Sequence, residues 1–406
     1  MSASNAIHTP RRSALLTLLL AYAGFVALGM VNSLIGVAWP AIRETFGLPL
    51  DALGVFLIAN TAGYMIASAV SGRLMAALNI GALMAGCCGL AGLALLAIGG
   101  APAWSALVAL GFVAGLSGGT LDGTTNAYAA AHFSPRSMNW LHACFGIGAT
   151  LGPAIMTAVI AGGLSWRSGY WIVGAAQLAL AAAFGLTRRL WDDPPATAAG
   201  PPAKRAAPLA ETLRLPIAWL GIALFFVYCG LEIGTGNWVY SLLTEARGVS
   251  PALAGTWVSL YWASLTIGRI LFGFAVQRVA PATLLRWCTG GALVAALLIW
   301  LNLAPWLAFG AIALMGLVLA PQFPMLISAT PGYLGARHAN NGIGFQVAAA
   351  GLGGALLPSL LGVLARAAGL EVLGPFLFAL ALAMGALFEL LAWRLPRASD
   401  SAPGQL

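Results

Sequence analysis

Twelve mostly apolar stretches, each of about 20 residues or more and so long enough to cross a bilayer as a helix, divide the chain between Arg12 and Arg397. They lie near 13–39, 51–77, 80–100, 103–131, 137–162, 166–188, 215–243, 252–277, 282–302, 305–332, 338–366 and 370–394, with charges, Pro or Gly at the breaks. Only 7% of the 406 residues are charged, against about 25% in a soluble domain. Too few charges remain to cover a water-facing surface of this size, so the natural solvent of these segments is lipid. The expected fold is an all-α integral membrane protein. Its opening run, "HTPRRSALLTLLLAYAGFVALGM", has an apolar segment too long for a signal peptide and no small-residue cleavage site ahead of a polar domain, so it is expected to be the first spanning helix.

A formal net charge of +8 is of the sign a nucleic-acid partner would require, but its distribution argues for topology instead. With both termini on one side, that side collects fourteen basic residues: Arg11, Arg12, Arg73, Arg136, Arg188, Arg189, Lys204, Arg205, Arg214, Arg278, Arg286, Arg337, Arg394 and Arg397. The other side collects Arg43, Arg167, Arg247 and Arg366. The positive-inside rule then predicts cytoplasmic termini. A single lysine among nineteen basic residues, with much Ala and Gly, fits a high-GC bacterial gene and hence an inner membrane. The five cysteines fall in apolar spans without a C-x-x-C pair and read as small packing residues. No zinc-ligand spacing, nucleophile–base pairing or nucleotide-binding loop is present, which argues against an enzyme or an ATP-driven pump.

The long polar stretch 191–213, "WDDPPATAAGPPAKRAAPLAETL", is rich in Pro and Ala and predicts a flexible cytoplasmic linker. It separates an N-terminal unit, 1–190, from a C-terminal unit, 214–406, each with six spans. The units echo each other. "GYMIASAVSGRLMAAL" (63–78) aligns with "SLTIGRILFGFAVQRV" (264–279), placing Gly72 opposite Gly273. "FGIGATLGP" (145–153) aligns with "AGLGGALLP" (350–358), placing Gly146, Gly148 and Pro153 opposite Gly351, Gly353 and Pro358. The two offsets, 201 and 205 residues, nearly agree. Duplicated six-helix bundles of this kind build transporters with a site at the midplane between the halves.

Twelve spans, a central linker and a Gly72-Arg73 turn after span 2 resemble the major facilitator superfamily over nearly the whole chain. Of that family's loop motif, G-x-L-x-D-R-x-G-R-R/K, only "GRLMAALN" (72–79) is present, without its acid or basic cluster. Within the family, "GTLDGTTNAY" followed by "MNWLHACFGIGATLGP" is similar to the fucose permease-like sugar:proton symporters, which carry an acid four residues before an Asn in span 4 and a Phe-Gly in span 5. Asp122, Asn126, Phe145 and Gly146 match those positions. Span 1 departs, with Asn32 and Ser33 where the fucose permease has a second acid. "GATLGP" (148–153) partly matches the antiporter pattern G-x-x-x-G-P, which keeps open the alternative of a proton-driven exporter of drugs or metabolites.

Charged groups at the bilayer centre are costly and usually face a cavity. Asp122 lies about 17 Å from the 134–136 turn and His142 about 9 Å, at 1.5 Å per residue. Asn126 and His142 are therefore level, and a relay Asp122–Asn126–His142 is expected, with Asn139 on the same stripe of span 5 as His142 and Gly146. A carboxyl shut away from water can take up and release a proton, so Asp122 is the expected proton carrier, with His142 and Glu232 as further candidates. Candidate substrate residues are Asn32, Asn126, Asn139, His142, Asn237, Trp238, Tyr261, Trp262 and Gln322, because hydroxylated solutes use amide and carboxylate hydrogen bonds and an aromatic platform. Span 7, "FVYCGLEIGTGNWVYSLL", sets Tyr228 four residues before Glu232, and its Gly234 and Gly236 would let the helix bend. Gly72, Arg73 and Arg269 are gating candidates, and Pro153, Pro321, Pro324 and Pro358 are expected to bend helices. Glu389, about one turn from Arg394 near the cytoplasmic end, is expected to be an interfacial or structural ion-pairing group. The expected function is secondary transport of a small polar solute, a sugar or related hydroxylated compound, by a monomer in the lipid bilayer. Protons are the coupling ion, and no cofactor, metal or nucleic acid is involved.

Overall fold

A computed structural model describes residues 9–191, 207–276 and 278–394. Twelve helices in it are long and apolar enough to span a membrane. They are α1 (Thr9–Phe46), α2 (Ala52–Ala77), α3 (Ile80–Gly99), α4 (Trp104–His132), α5 (Pro135–Ala161) and α6 (Trp166–Leu186) in the first half. In the second half they are α7 (Pro216–Ser241), α8 (Pro251–Ala275), α9 (Pro281–Leu301), α10 (Pro305–Leu319, resuming as Gln322–Leu334), α11 (Ala336–Ala368) and α12 (Leu373–Trp393). The chain is an integral membrane protein. Exposed Trp140, Trp171, Trp219, Trp287, Trp300, Trp306 and Trp393 all lie near helix ends, where indole rings favour the membrane–water boundary.

The helices start by two devices. Asn79, Ser134 and Ser165 cap α3, α5 and α6 by accepting the backbone N–H of Ala82, Ser137 and Arg167. Helices α7 to α10 instead begin with a proline in the first turn, where its missing N–H costs nothing. Gly47 and Gly248, at φ 61° and 65°, turn the chain after α1 and at the corresponding point after α7.

The duplication is also visible in the packing. In the first bundle α1 lies along α5, α2 along α4 and α3 along α6; in the second α7 lies along α11, α8 along α10 and α9 along α12. Gly148 presses on the Val26 backbone of α1, and Gly353 presses on the Phe226 backbone of α7. Small residues of this kind let helix backbones approach where lipid provides no hydrophobic drive for association.

Several expectations are revised. Helix α7 runs unbroken from Pro216 to Ser241, with a single π-helical turn at Leu242–Ala246. Its Gly236 serves close approach rather than bending, since a β-carbon on Gly36 of α1 would meet the Gly236 carbonyl at 2.7 Å. Helices α4 and α5, joined by the 134–136 turn, follow different partners: α4 lies along α2 and α3, α5 along α1 and α8. The ends of the expected linker are built into the bundles. Trp191, 1% exposed, packs against Tyr128 and Phe184. On the other side Leu209–Leu213 forms a short helix whose Thr212 is fully buried. Residues 192–206 lie outside the described residues. Glu389 is an ion-pairing group as expected, its partner being Arg286 of α9 at 2.7 and 2.9 Å. Helix α10 breaks at Ala320–Pro321, while Pro153, Pro331 and Pro358 sit inside continuous helices.

Candidate functional site

The two bundles meet through α1 with α7, α2 with α11 and α5 with α8. At the end away from the chain termini the contact is tight. Ion pairs join Arg43 to Glu245, and Arg366 to Asp51 at 3.2 Å, and Ser359 donates to the Gly54 carbonyl. Deeper in, Gly146 of α5 abuts Thr266 of α8, and a β-carbon on Gly351 of α11 would meet Met65 and Thr61 of α2 at 3.9 Å. At the end carrying the termini, Gly72 on α2 and Gly273 on α8 have open space beside them, and Arg73 is exposed. The bundles are therefore closed against each other at one end, and we infer a cleft between them that opens at the terminal end, with its apex near Gly146 and Gly351.

Two polar clusters stand at this depth, one in each bundle. In the first, glycines on α4 bring it against α2: Gly115 faces the Asn60 carbonyl and Gly119 the Tyr64 carbonyl. That crossing sets Tyr64 Oη 2.5 Å from Asp122 Oδ2, and Tyr64 donates. Asn126, one turn on, donates its Nδ2 to Asp122 Oδ1 at 2.9 Å. Both carboxylate oxygens thus accept a hydrogen bond, and no cation joins them among the described residues. Tyr64 was not among the sequence-derived candidates. Its signal was the stripe Asn60, Tyr64, Ser68, at helical spacing, whose outer members bond the Gly111 and Gly119 carbonyls of α4.

His142 stands apart from this cluster. It meets Phe25 of α1 edge to face at 5.6 Å and lies within electrostatic reach of Arg269 across the cleft. Its side chain is exposed within a concave surround, and among the described residues no hydrogen bond joins it to Asn126 or Asp122. The expected three-membered relay is absent in this conformation, because α4 and α5 pack on different neighbours.

In the second bundle Tyr228 donates to Glu232 Oε2. Arg269 Nη2 of α8 lies 4.0 Å from Glu232 Oε1. Arg269 is six residues from the terminal end of its helix, yet its side chain points into the bundle instead of toward the nearer surface. Tyr261 Oη donates to the Glu232 carbonyl at 2.8 Å, which ties α8 to α7 beside the pair.

The remaining candidates are dispersed. Trp238 is fully buried and donates to the Pro358 carbonyl at 2.9 Å. Gln322 is 2% exposed and donates to Thr289 of α9 at 3.2 Å. Neither presents a face to the cleft in this conformation, since both bridge helices of one bundle. Asn237 is buried where α1 crosses α7. Trp262, buried beside Gly236, has an indole N–H without a partner. Asn32 and Asn139 are exposed, Asn126 half-buried.

A sequence profile described as Major Facilitator Superfamily matches residues 21–301, more than half of the chain. The chain belongs to the Major Facilitator Superfamily. It is a transporter, not an enzyme. Its curated relatives include "Bypass of stop codon protein 6" of Saccharomyces cerevisiae, 25% identical over 86% of this chain and 76% of the relative. Another is the "Glucose/mannose transporter GlcP" of Bacillus subtilis, 24% identical over 85% of this chain and 87% of the relative. Among solved structures, a bacterial homologue of the human lysosomal transporter Spinster, inward-facing and occupied, superposes with a TM-score of 0.73 at 14% identity, covering 94% of this chain and 97% of that one. FucP in the outward conformation superposes at 0.63 with 17% identity, covering 95% and 100%. The superfamily profile stops at Leu301, the last residue of α9; the packing of α10 to α12 completes the second bundle on the pattern of the first.

Proposed function

We propose that this transporter moves a small hydroxylated solute together with protons, by alternating access of the cleft, across a bacterial inner membrane with both termini in the cytoplasm. The observation that carries the proposal is Asp122: an acid in mid-helix at the cleft apex, held by Tyr64 and Asn126 and by no cation. A carboxyl in such surroundings is stable neutral and, with two donors aimed at it, tolerable charged. It can therefore pick up a proton on one side and release it on the other. Glu232, beside Arg269, has a standing counter-charge and serves the solute side. The open end of the cleft is then cytoplasmic, with the loop-end ion pairs as the outer closure. The sugar-transporting relative and the fold of FucP support a sugar-like solute. The unit is a monomer without cofactor.

The test is purified protein in proteoliposomes with an internal pH dye, challenged with hexoses, deoxyhexoses, polyols and aromatic cations beside an Asp122→Asn variant. Sugar-driven proton entry that disappears in the variant is expected. An Asp122→Asn protein that still accumulates solute against its gradient sinks the role of Asp122. Cation-driven proton exit would make the protein an exporter.

A further inference from the structure

The groups facing one another across the cleft are His142 and Arg269, and neither is satisfied. Arg269 carries five N–H donors, yet among the described residues it makes no hydrogen bond. Its one ion-pair approach, to Glu232, is 4.0 Å, beyond hydrogen-bond distance. Its Nε is buried without a partner. A guanidinium at membrane depth with its fork unused is costly. Glu232 does not complete it in this conformation: its Oε2 accepts from Tyr228 and its Oε1 stays 4.0 Å from Arg269 Nη2. His142, on the opposite bundle, makes no hydrogen bond among the described residues either and meets Phe25 edge to face. The two are brought level by the antiparallel crossing of α5 and α8 at Gly146 and Thr266: His142 is one turn from the first and Arg269 three residues from the second, both toward the open end.

We infer that the solute is acidic, a hydroxylated monocarboxylate of the uronic or aldonic acid class, with its carboxylate seated on the Arg269 fork and touched by His142. Planar bidentate recognition of a carboxylate is what a guanidinium does best. One fixed cation and one imidazole match a single negative charge better than a doubly charged phosphate. The donor sits on one bundle and the imidazole on the other, so the carboxylate bridges the halves at the apex. This rests on the transport reading but not on Asp122 being the proton carrier.

The experiment compares binding of glucuronate, gluconate and glucose to purified full-length protein, by scintillation proximity with radiolabelled ligands. The wild type is set beside Arg269→Lys, and beside Glu232→Gln combined with Arg269→Gln, which removes both charges together and so avoids leaving a bare carboxylate. One of the two acids should bind at least tenfold more tightly than glucose to the wild type. That preference should fall to about threefold or less in the double variant, and Arg269→Lys should lie between. Equal or tighter binding of glucose, no binding of either acid, or an acid preference that survives the double variant overturns the inference. Asp122→Asn tested with the same ligands keeps the two readings apart: retained acid binding with lost proton movement leaves both standing, whereas retained coupled uptake sinks only the role of Asp122.

Discussion

Each bundle carries one acid at the cleft apex, and the two are stabilised in opposite ways. Asp122 is held by neutral donors, one from its own helix and one from α2. Glu232 has a neutral donor, Tyr228, from its own helix but a guanidinium from α8. Each half carries an acid with an i,i+4 partner, on its fourth helix in the first half and on its first helix in the second, and the neighbouring helix decides its character. A carboxyl among neutral donors can exist with or without its proton. A carboxylate beside a cation is committed to charge until something competes for the cation. The first suits proton loading and the second suits recognition of a solute.

Substitutions at the two acids should break the comparison most visibly. Asp122→Asn is expected to abolish solute-driven proton movement, a loss of at least a hundredfold in initial rate by pH dye, while counterflow exchange of solute persists. Glu232→Gln is expected to weaken solute binding while any residual uptake stays proton-coupled. Loss of coupling in Glu232→Gln but not in Asp122→Asn would exchange the two assignments.

Stability sharpens it next. Leaving Arg269 or Glu232 alone in the bundle removes a partner from a partly buried ion pair, at a cost of about 3–5 kcal/mol in a fully buried setting and less here. Each single Gln variant should therefore melt several degrees below the wild type in detergent, and the double variant should recover much of the loss. Additive losses would show that the two charges do not interact. Tyr64→Phe comes third. It removes one hydrogen bond to a charged group, worth about 1.5–3 kcal/mol, and uptake should fall roughly tenfold, more than for Ser68→Ala on the same stripe. Equal effects would remove Tyr64 from the site.

The smallest expected effect is at the closed end. Arg43–Glu245 and Asp51–Arg366 are solvent-exposed pairs, each worth about 0.2–1 kcal/mol. Arg43→Gln with Asp51→Asn should shift the balance of open and closed forms only a few-fold, read as spin-label separation between the exposed positions 164 and 303 at this end. A large shift would mean that these pairs, rather than the glycine-lined crossings, hold this end shut.

Much of this was legible in the chain. Spans, their number and the duplicated halves follow from length and hydropathy, because lipid acts on each segment separately and spanning backbone must satisfy itself as a helix. Asp122 and Asn126 could be placed on one face because helical period alone brings residues four apart together, and Tyr228 with Glu232 for the same reason. The paired glycines of spans 5 and 11 were also readable, though which backbone each one touches was not. Trp238 and Gln322 resembled solute contacts by residue type, and only their partners, Pro358 and Thr289, show that they tie helices together.

The sequence by itself therefore determined the solvent, the helices and the acids. The tertiary structure alone decided the partners of those acids. Tyr64 lies 58 residues before Asp122 and reaches it because Gly115 and Gly119 let α2 and α4 close up. Arg269 faces Glu232 and His142 because α8 is pressed against both α7 and α5, which turns a side chain near the helix end inward. His142 misses Asp122 because sequential helices took different neighbours. Period fixes what shares a face within one helix; which helix that face meets depends on the packing of all twelve.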